Sequence, residues 1–190
     1  MDGISAAVGA VRIDESRRRR RGPGGIALAL LAAGVLGTVV YAWRPGPPPL
    51  QHTFETPEQL AQGVLERLAA RDRAGLAALA LSEEEFRTRV WRELPASRPE
   101  RNVPVGFAWS GLYQRNRAHL AQTFAEHAGR RYELVSVRFR GETTRHASFT
   151  VSRKAELTVR DERGDEHRLR LFGSVLSDGA RYKLFSYAID

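Results

Sequence analysis

Cysteine is absent from the 190 residues. Its absence excludes disulfides, thiol chemistry and a cysteine-borne lipid, so any membrane attachment must come from the chain's own apolar residues. Lysine is almost absent: Lys154 and Lys183 stand beside 28 arginines, a bias that points to a GC-rich bacterial genome more than to a function. Charge is missing altogether between Gly25 and Trp43. At about 1.5 Å per residue this run makes a helix of roughly 28 Å, which matches a hydrocarbon core of about 30 Å. It reads as one transmembrane helix.

The charges on either side of that run orient it. Arg12 and Arg17 through Arg21 lead it against Asp2, Asp14 and Glu15, whereas Arg44, Glu55 and Glu58 follow it. Positive residues stay in the cytoplasm, so the N-terminus is expected inside and residues 51–190 outside, in a single-pass protein of the bacterial inner membrane. Tyr41 and Trp43 suit the headgroup level at the outer end of the span. The competing reading is a secretory signal cut after Ala42, since Val40-Tyr41-Ala42 has the small-residue spacing a signal peptidase accepts. A long arginine-rich leader and an apolar run longer than a usual signal core argue against it. A twin-arginine signal fits less well, because further arginines occupy its apolar places.

The formal charge of +8 and the pI near 10.7 resemble nucleic-acid-binding values. Residues 1–50 hold seven of the 30 basic and three of the 22 acidic side chains, leaving 23 against 19 and a net of +4. Those charges are interleaved along the elements, so a nucleic-acid partner is not expected.

Composition divides the chain into a cytoplasmic basic tail (1–24), the transmembrane helix (25–43), a proline-rich linker (44–52) and an extracytoplasmic domain (53–190). Thr56, Pro57 and Gln59 open a helix carrying Leu60, Val64, Leu65 and Leu68. A short helix from Arg73 to Leu81 follows. Ser82 to Glu85 is a capping box ahead of Phe86, Val90, Trp91 and Leu94, with Pro95 as the stop. Pro95 to Pro104 reads as a loop, and a helix is expected from about Trp109 to Ala128 with Gly129 ending it. From Arg131 the apolar period changes to two. Strands are expected at Tyr132–Arg140, Phe149–Arg160, His167–Leu176 and Tyr182–Ile189, joined by turns at Gly141 to His146, Asp161 to Asp165 and Ser177-Asp178-Gly179. Three to four helices packed on a curved four-stranded antiparallel sheet make an α+β domain.

That element order, with Thr56-Pro-Glu-Gln-Leu60 and the closing Tyr182-Lys-Leu-Phe-Ser-Tyr187, resembles the nuclear-transport-factor-like or SnoaL-like superfamily with its cystatin-like cone. The resemblance covers residues 53–190 and rests on order rather than on a diagnostic motif. It implies a cone whose mouth binds small molecules, peptides or partner domains. Several bacterial members of the family stand outside the membrane on one N-terminal span. Dimerisation through the sheet face is common in the fold, and a homodimer is left open here.

No reaction signature accompanies it. The first helix carries no tyrosine to match the ketosteroid-isomerase-like members, and Asp72 at its end reads as a solvated cap. Asp161, Asp165 and Asp178 fall in turns. His119 and His127 lie two helical turns apart without a carboxylate at ligand spacing; His146 and His167 have no visible partner. Ser110 and Ser174 each neighbour a glycine outside any nucleophile elbow, and no phosphate-binding glycine loop occurs. Catalytic, cofactor and metal residues are therefore none.

The richest patch is Arg98, Arg101, Phe107, Trp109, Tyr113, Arg115 and Arg117, since interfaces concentrate aromatic residues with arginine. The competing structural reading buries those aromatics between helix and sheet. The functional expectation is a binding domain of an envelope complex that meets a protein partner through this patch. The alternative is a small-molecule or lipid-binding cone for an apolar ligand, with or without isomerase- or hydrolase-like acid/base chemistry.

Overall fold

The computed structural model describes residues 48–189. The expected span, its basic leader and the first part of the linker, residues 44–47, lie outside the described residues. The chain divides into two units at residues 45 and 46, and the second is the domain described here. Among the described residues no helix is long and apolar enough to cross a membrane.

Helix α1 (Pro57–Ala69) starts where its sequence signals place it. Thr56 accepts a hydrogen bond from the Gln59 amide at 3.1 Å, while the Gln59 side chain reaches back to the Glu55 amide at 3.0 Å. Leu60, Val64, Leu65 and Leu68 are buried, each worth about 1.5–3 kcal/mol of transfer free energy. Asp72 caps the next element rather than closing α1, accepting from the Gly75 amide at the start of α2 (Arg73–Leu79). The Ser82–Glu85 capping box is complete at α3 (Glu83–Glu85), which widens into a π-helical turn (Phe86–Val90) and a 3-10 turn (Trp91–Glu93) before Pro95. The segment expected as loop holds two more 3-10 turns, Pro95–Ser97 and Pro99–Arg101. Helix α4 (Val105–His127) begins a turn earlier than expected, immediately after Pro104.

The second half is antiparallel throughout. Four strands were the expectation; seven are present among the described residues, in two sheets with the orders β1-β4-β5 and β2-β3-β6-β7. They are β1 (Tyr132–Phe139), β2 (Thr143–Arg145), β3 (Thr150–Arg153), β4 (Ala155–Asp161), β5 (Glu166–Leu169), β6 (Ser174–Ser177) and β7 (Tyr182–Ser186). Bending accounts for two of the three additional strands. Lys154, at φ +54°, turns the second expected strand from β3 into β4. Beside it, the Ala155 amide donates to the Gly173 carbonyl at the break between β5 and β6. Gly141 to His146, expected as a turn, contains β2, which pairs with β3.

Two apolar clusters result. One packs α1 and α2 against Leu157, Val159, Leu171, Phe172, Leu184 and Tyr187. The other gathers Leu81, Phe86, Val90, Leu112, Phe149, Val151 and Leu176, with Trp91 and Trp109 against it. Only Leu112, Asn116, Leu120 and Thr123 of the 23-residue α4 are buried. Val105, Ala108, Trp109 and Phe124 pack partly against the two clusters, and the exposed positions of that helix are left for other contacts.

Candidate functional site

A cleft of about 690 Å³ opens between α2–α3 and α4. Spacing decides which α4 residues reach it. Trp109, Tyr113 and Arg117 are four apart and so stack along one face, and all three line the cleft, with Asn116 and Leu120 deeper. Ala77, Ala78, Ala80 and Leu81 form the opposite wall, and Lys183 and Tyr187 of the last strand region lie beneath. An aromatic row runs into it from the core: Phe86 to Trp109 at 5.5 Å between centroids, then Trp109 to Tyr113 at 5.9 Å.

The polar groups of the floor are bound to one another. Asn116 Oδ1 accepts from Ser186 Oγ and from the Tyr187 amide, both at 2.8 Å, and the Tyr187 hydroxyl donates to the Leu76 carbonyl at 2.7 Å. Burial pushes the Tyr187 phenol well above its ordinary range. Lys183 Nζ, 1% exposed, donates to the Gln51 carbonyl at 2.7 Å and stands 3.5 Å from Glu85 Oε2. The Glu85 carboxylate also accepts from the Gln51 amide at 2.6 Å and the Ser82 amide at 2.8 Å. Burial alone raises the Glu85 carboxyl, but these two amides, then the Lys183 ammonium and the Ser82 hydroxyl, outweigh it and hold the group below its ordinary value. Burial lowers Lys183 despite the neighbouring carboxylate. The pair therefore clamps both backbone groups of Gln51, the point where the linker joins the domain, and every buried side-chain nitrogen and oxygen among the described residues has a partner.

The rim differs from the floor. The guanidinium of Arg117 has no carboxylate partner among the described residues, nor has that of Arg73, which lies 6.0 Å from the centre of the Phe124 ring. Glu83 on the same rim is paired with Arg87 at 2.8 Å. The cleft thus combines apolar walls with two unpaired cations.

Of the seven residues singled out in the sequence, the cleft gathers Trp109, Tyr113 and Arg117. Phe107 and Arg115 lie on α4 outside it, and Arg98 and Arg101 lie on the exposed turns before that helix. Core filling, the competing reading, holds in part for Trp109 alone. Phe107 is 75% exposed and Tyr113 50%.

A second, polar recess lies between His127, Arg130, Arg131, Tyr132, Asp161, Arg163 and His167. Here His167 does have a partner, Asp161 at 2.8 Å. Asp161 is held low by that bond and by the Asp165 and Arg163 amides, as its turn position foretells. His127 is depressed by burial and meets the Tyr132 hydroxyl. Among the described residues no three His, Asp or Glu side chains converge as a metal site.

Gln51, Glu85, Asn116, Lys183 and Tyr187 are absent from the sequence-derived set. Glu85 is legible there only as a helix cap, and a lysine within an alternating strand reads as solvent-facing. Comparison with protein-family models, curated proteins and solved structures gives no match.

Proposed function

We propose that this chain is a single-pass bacterial inner-membrane protein, N-terminus inside, whose outward α+β domain binds a protein partner within an envelope complex. The observation that carries the binding reading is Phe107, 75% exposed on a helix flanked by arginines without ion partners among the described residues, namely Arg98, Arg101 and Arg115. An exposed aromatic beside arginine is what binding hot spots are made of. Helices followed by antiparallel strands also support placing the domain with the nuclear-transport-factor-like superfamily. The mutual hydrogen bonding of the cleft floor favours binding over acid/base chemistry, because Glu85 and Tyr187 are already committed inside the protein.

Topology is directly testable, since the chain has no cysteine of its own. In intact cells with a permeable outer layer, Ser110→Cys is expected to react with a membrane-impermeant thiol reagent and Ser5→Cys to stay unlabelled until the membrane is lysed. The reverse pattern overturns the orientation. Release of the domain without the leader points instead to cleavage after Ala42.

For the partner, Phe107→Ser with Arg101→Gln is expected to abolish crosslinked recovery of an envelope protein from native membranes, because truncating a hot spot removes about 2 kcal/mol or more. Circular dichroism should be unchanged, as both side chains are exposed. Equal recovery by the folded variant removes this face from the function.

A further inference from the structure

We propose that the cleft between α2–α3 and α4 is a separate binding site for a small carboxylic acid with an apolar body. This inference rests on the cleft alone and not on the protein partner assigned to Phe107 and its arginines.

Shape and lining favour a small apolar body. The volume of about 690 Å³ is within the range of small-molecule sites, roughly 300–1,000 Å³. Ala77, Ala78, Ala80 and Leu81 supply one wall, and Trp109 and Tyr113 face them. An extended peptide fits poorly. Its backbone needs donors and acceptors, yet Lys183 and the Tyr187 hydroxyl spend theirs within the protein and the Asn116 Oδ1 is already taken.

Charge supplies the polar end. Arg117 stands on the α4 wall, and Arg73 lies against Phe124, seven residues or about 10 Å further along that helix. Both guanidinium groups lack a carboxylate among the described residues, while the two acids that line the cleft are committed: Glu83 to Arg87, Glu85 to Lys183 and Gln51. A planar guanidinium matches a carboxylate with two parallel hydrogen bonds. The ligand is then oriented, with its apolar body toward Trp109 and Leu81 and its acid group toward Arg117 and Arg73. The aromatic row from Phe86 through Trp109 to Tyr113 fixes the apolar end on the core.

Sodium octanoate is the probe, titrated calorimetrically into full-length protein in zwitterionic nanodiscs, with empty nanodiscs as blank and 1-octanol and octylammonium as neutral and cationic controls. The expected result is saturable one-to-one binding of octanoate, stronger than that of either control. Arg73→Gln with Arg117→Gln should weaken octanoate about tenfold, the effect of losing charge-assisted contacts at a partly solvated rim, and leave octanol unchanged. Ala78→Trp should remove octanoate binding by filling the apolar wall. Absence of saturable binding, equal binding of the three probes, or indifference to the arginine changes each overturns the proposal. A protein crosslinked from Tyr113 and not displaced by octanoate also overturns it and assigns the cleft to a partner. Loss of partner recovery through Phe107 with octanoate binding intact leaves this site standing, so the two readings fail separately.

Discussion

Glu85→Ala is expected to destabilise the domain by about 3–5 kcal/mol, because it strands a buried ammonium with one carbonyl for company. Lys183 is 1% exposed and its only other bond among the described residues is to Gln51. Lys183→Met should be milder. The carboxylate it leaves behind keeps the Ser82 and Gln51 amides. Glu85→Leu with Lys183→Met should recover much of the loss, since an apolar pair of similar volume avoids desolvating two charges, and a double-mutant cycle by chemical denaturation measures the coupling. Additive single effects would show that the pair is not a unit. Acid should act through the same group. The folded Glu85 value lies below its ordinary 4.5, so its contribution is complete above that pH and is lost as pH falls through the folded value. The Glu85→Ala protein should therefore lose less stability than the parent between neutral and acid pH. Lys183 acts oppositely at the alkaline end: burial penalises the ammonium until pH rises through its lowered value.

The second large effect is expected at Gly173, with Gly173→Ala losing at least about 3 kcal/mol. The reason is space. A methyl group there would collide with the Ala188 carbonyl oxygen, which is backbone and has no rotamer to give way. The glycine also joins the two sheets, donating to Ser186 at 2.9 Å and accepting from Ala155 at 3.2 Å. Moving it disturbs both sheets and the Ser186–Asn116 bond under the cleft. Gly111→Ala is the control. It sits exposed in α4 with nothing within 4 Å of the added carbon, so it should stabilise by about 0.5–1 kcal/mol through helix propensity. A Gly173→Ala midpoint equal to the parent's would mean that the C-terminal segment can be displaced freely.

Local signals in the chain were enough for the start of α1 at Thr56, the capping box at Ser82, the stop at Pro95 and the change of period after Arg131, because each depends on residues within one turn or one hairpin of its neighbour. The α+β class follows from their order. Composition marked the seven-residue patch from Arg98 to Arg117 but did not separate Trp109, Tyr113 and Arg117, which helical spacing sets in one row, from the four that lie outside the cleft. What that row faces was not legible either. Whether an aromatic on α4 fills the core or stays exposed depends on how closely α2 and α3 approach it, and Phe107 and Tyr113 stay out. The bends at Lys154 and Gly173, which split two of the four expected strands, and the extra strand β2 arise from contacts between distant segments. The Glu85–Lys183–Gln51 clamp shows the same limit most plainly. Its members lie on the linker, a helix cap and the last strand, and only tertiary packing brings their charges out of water together.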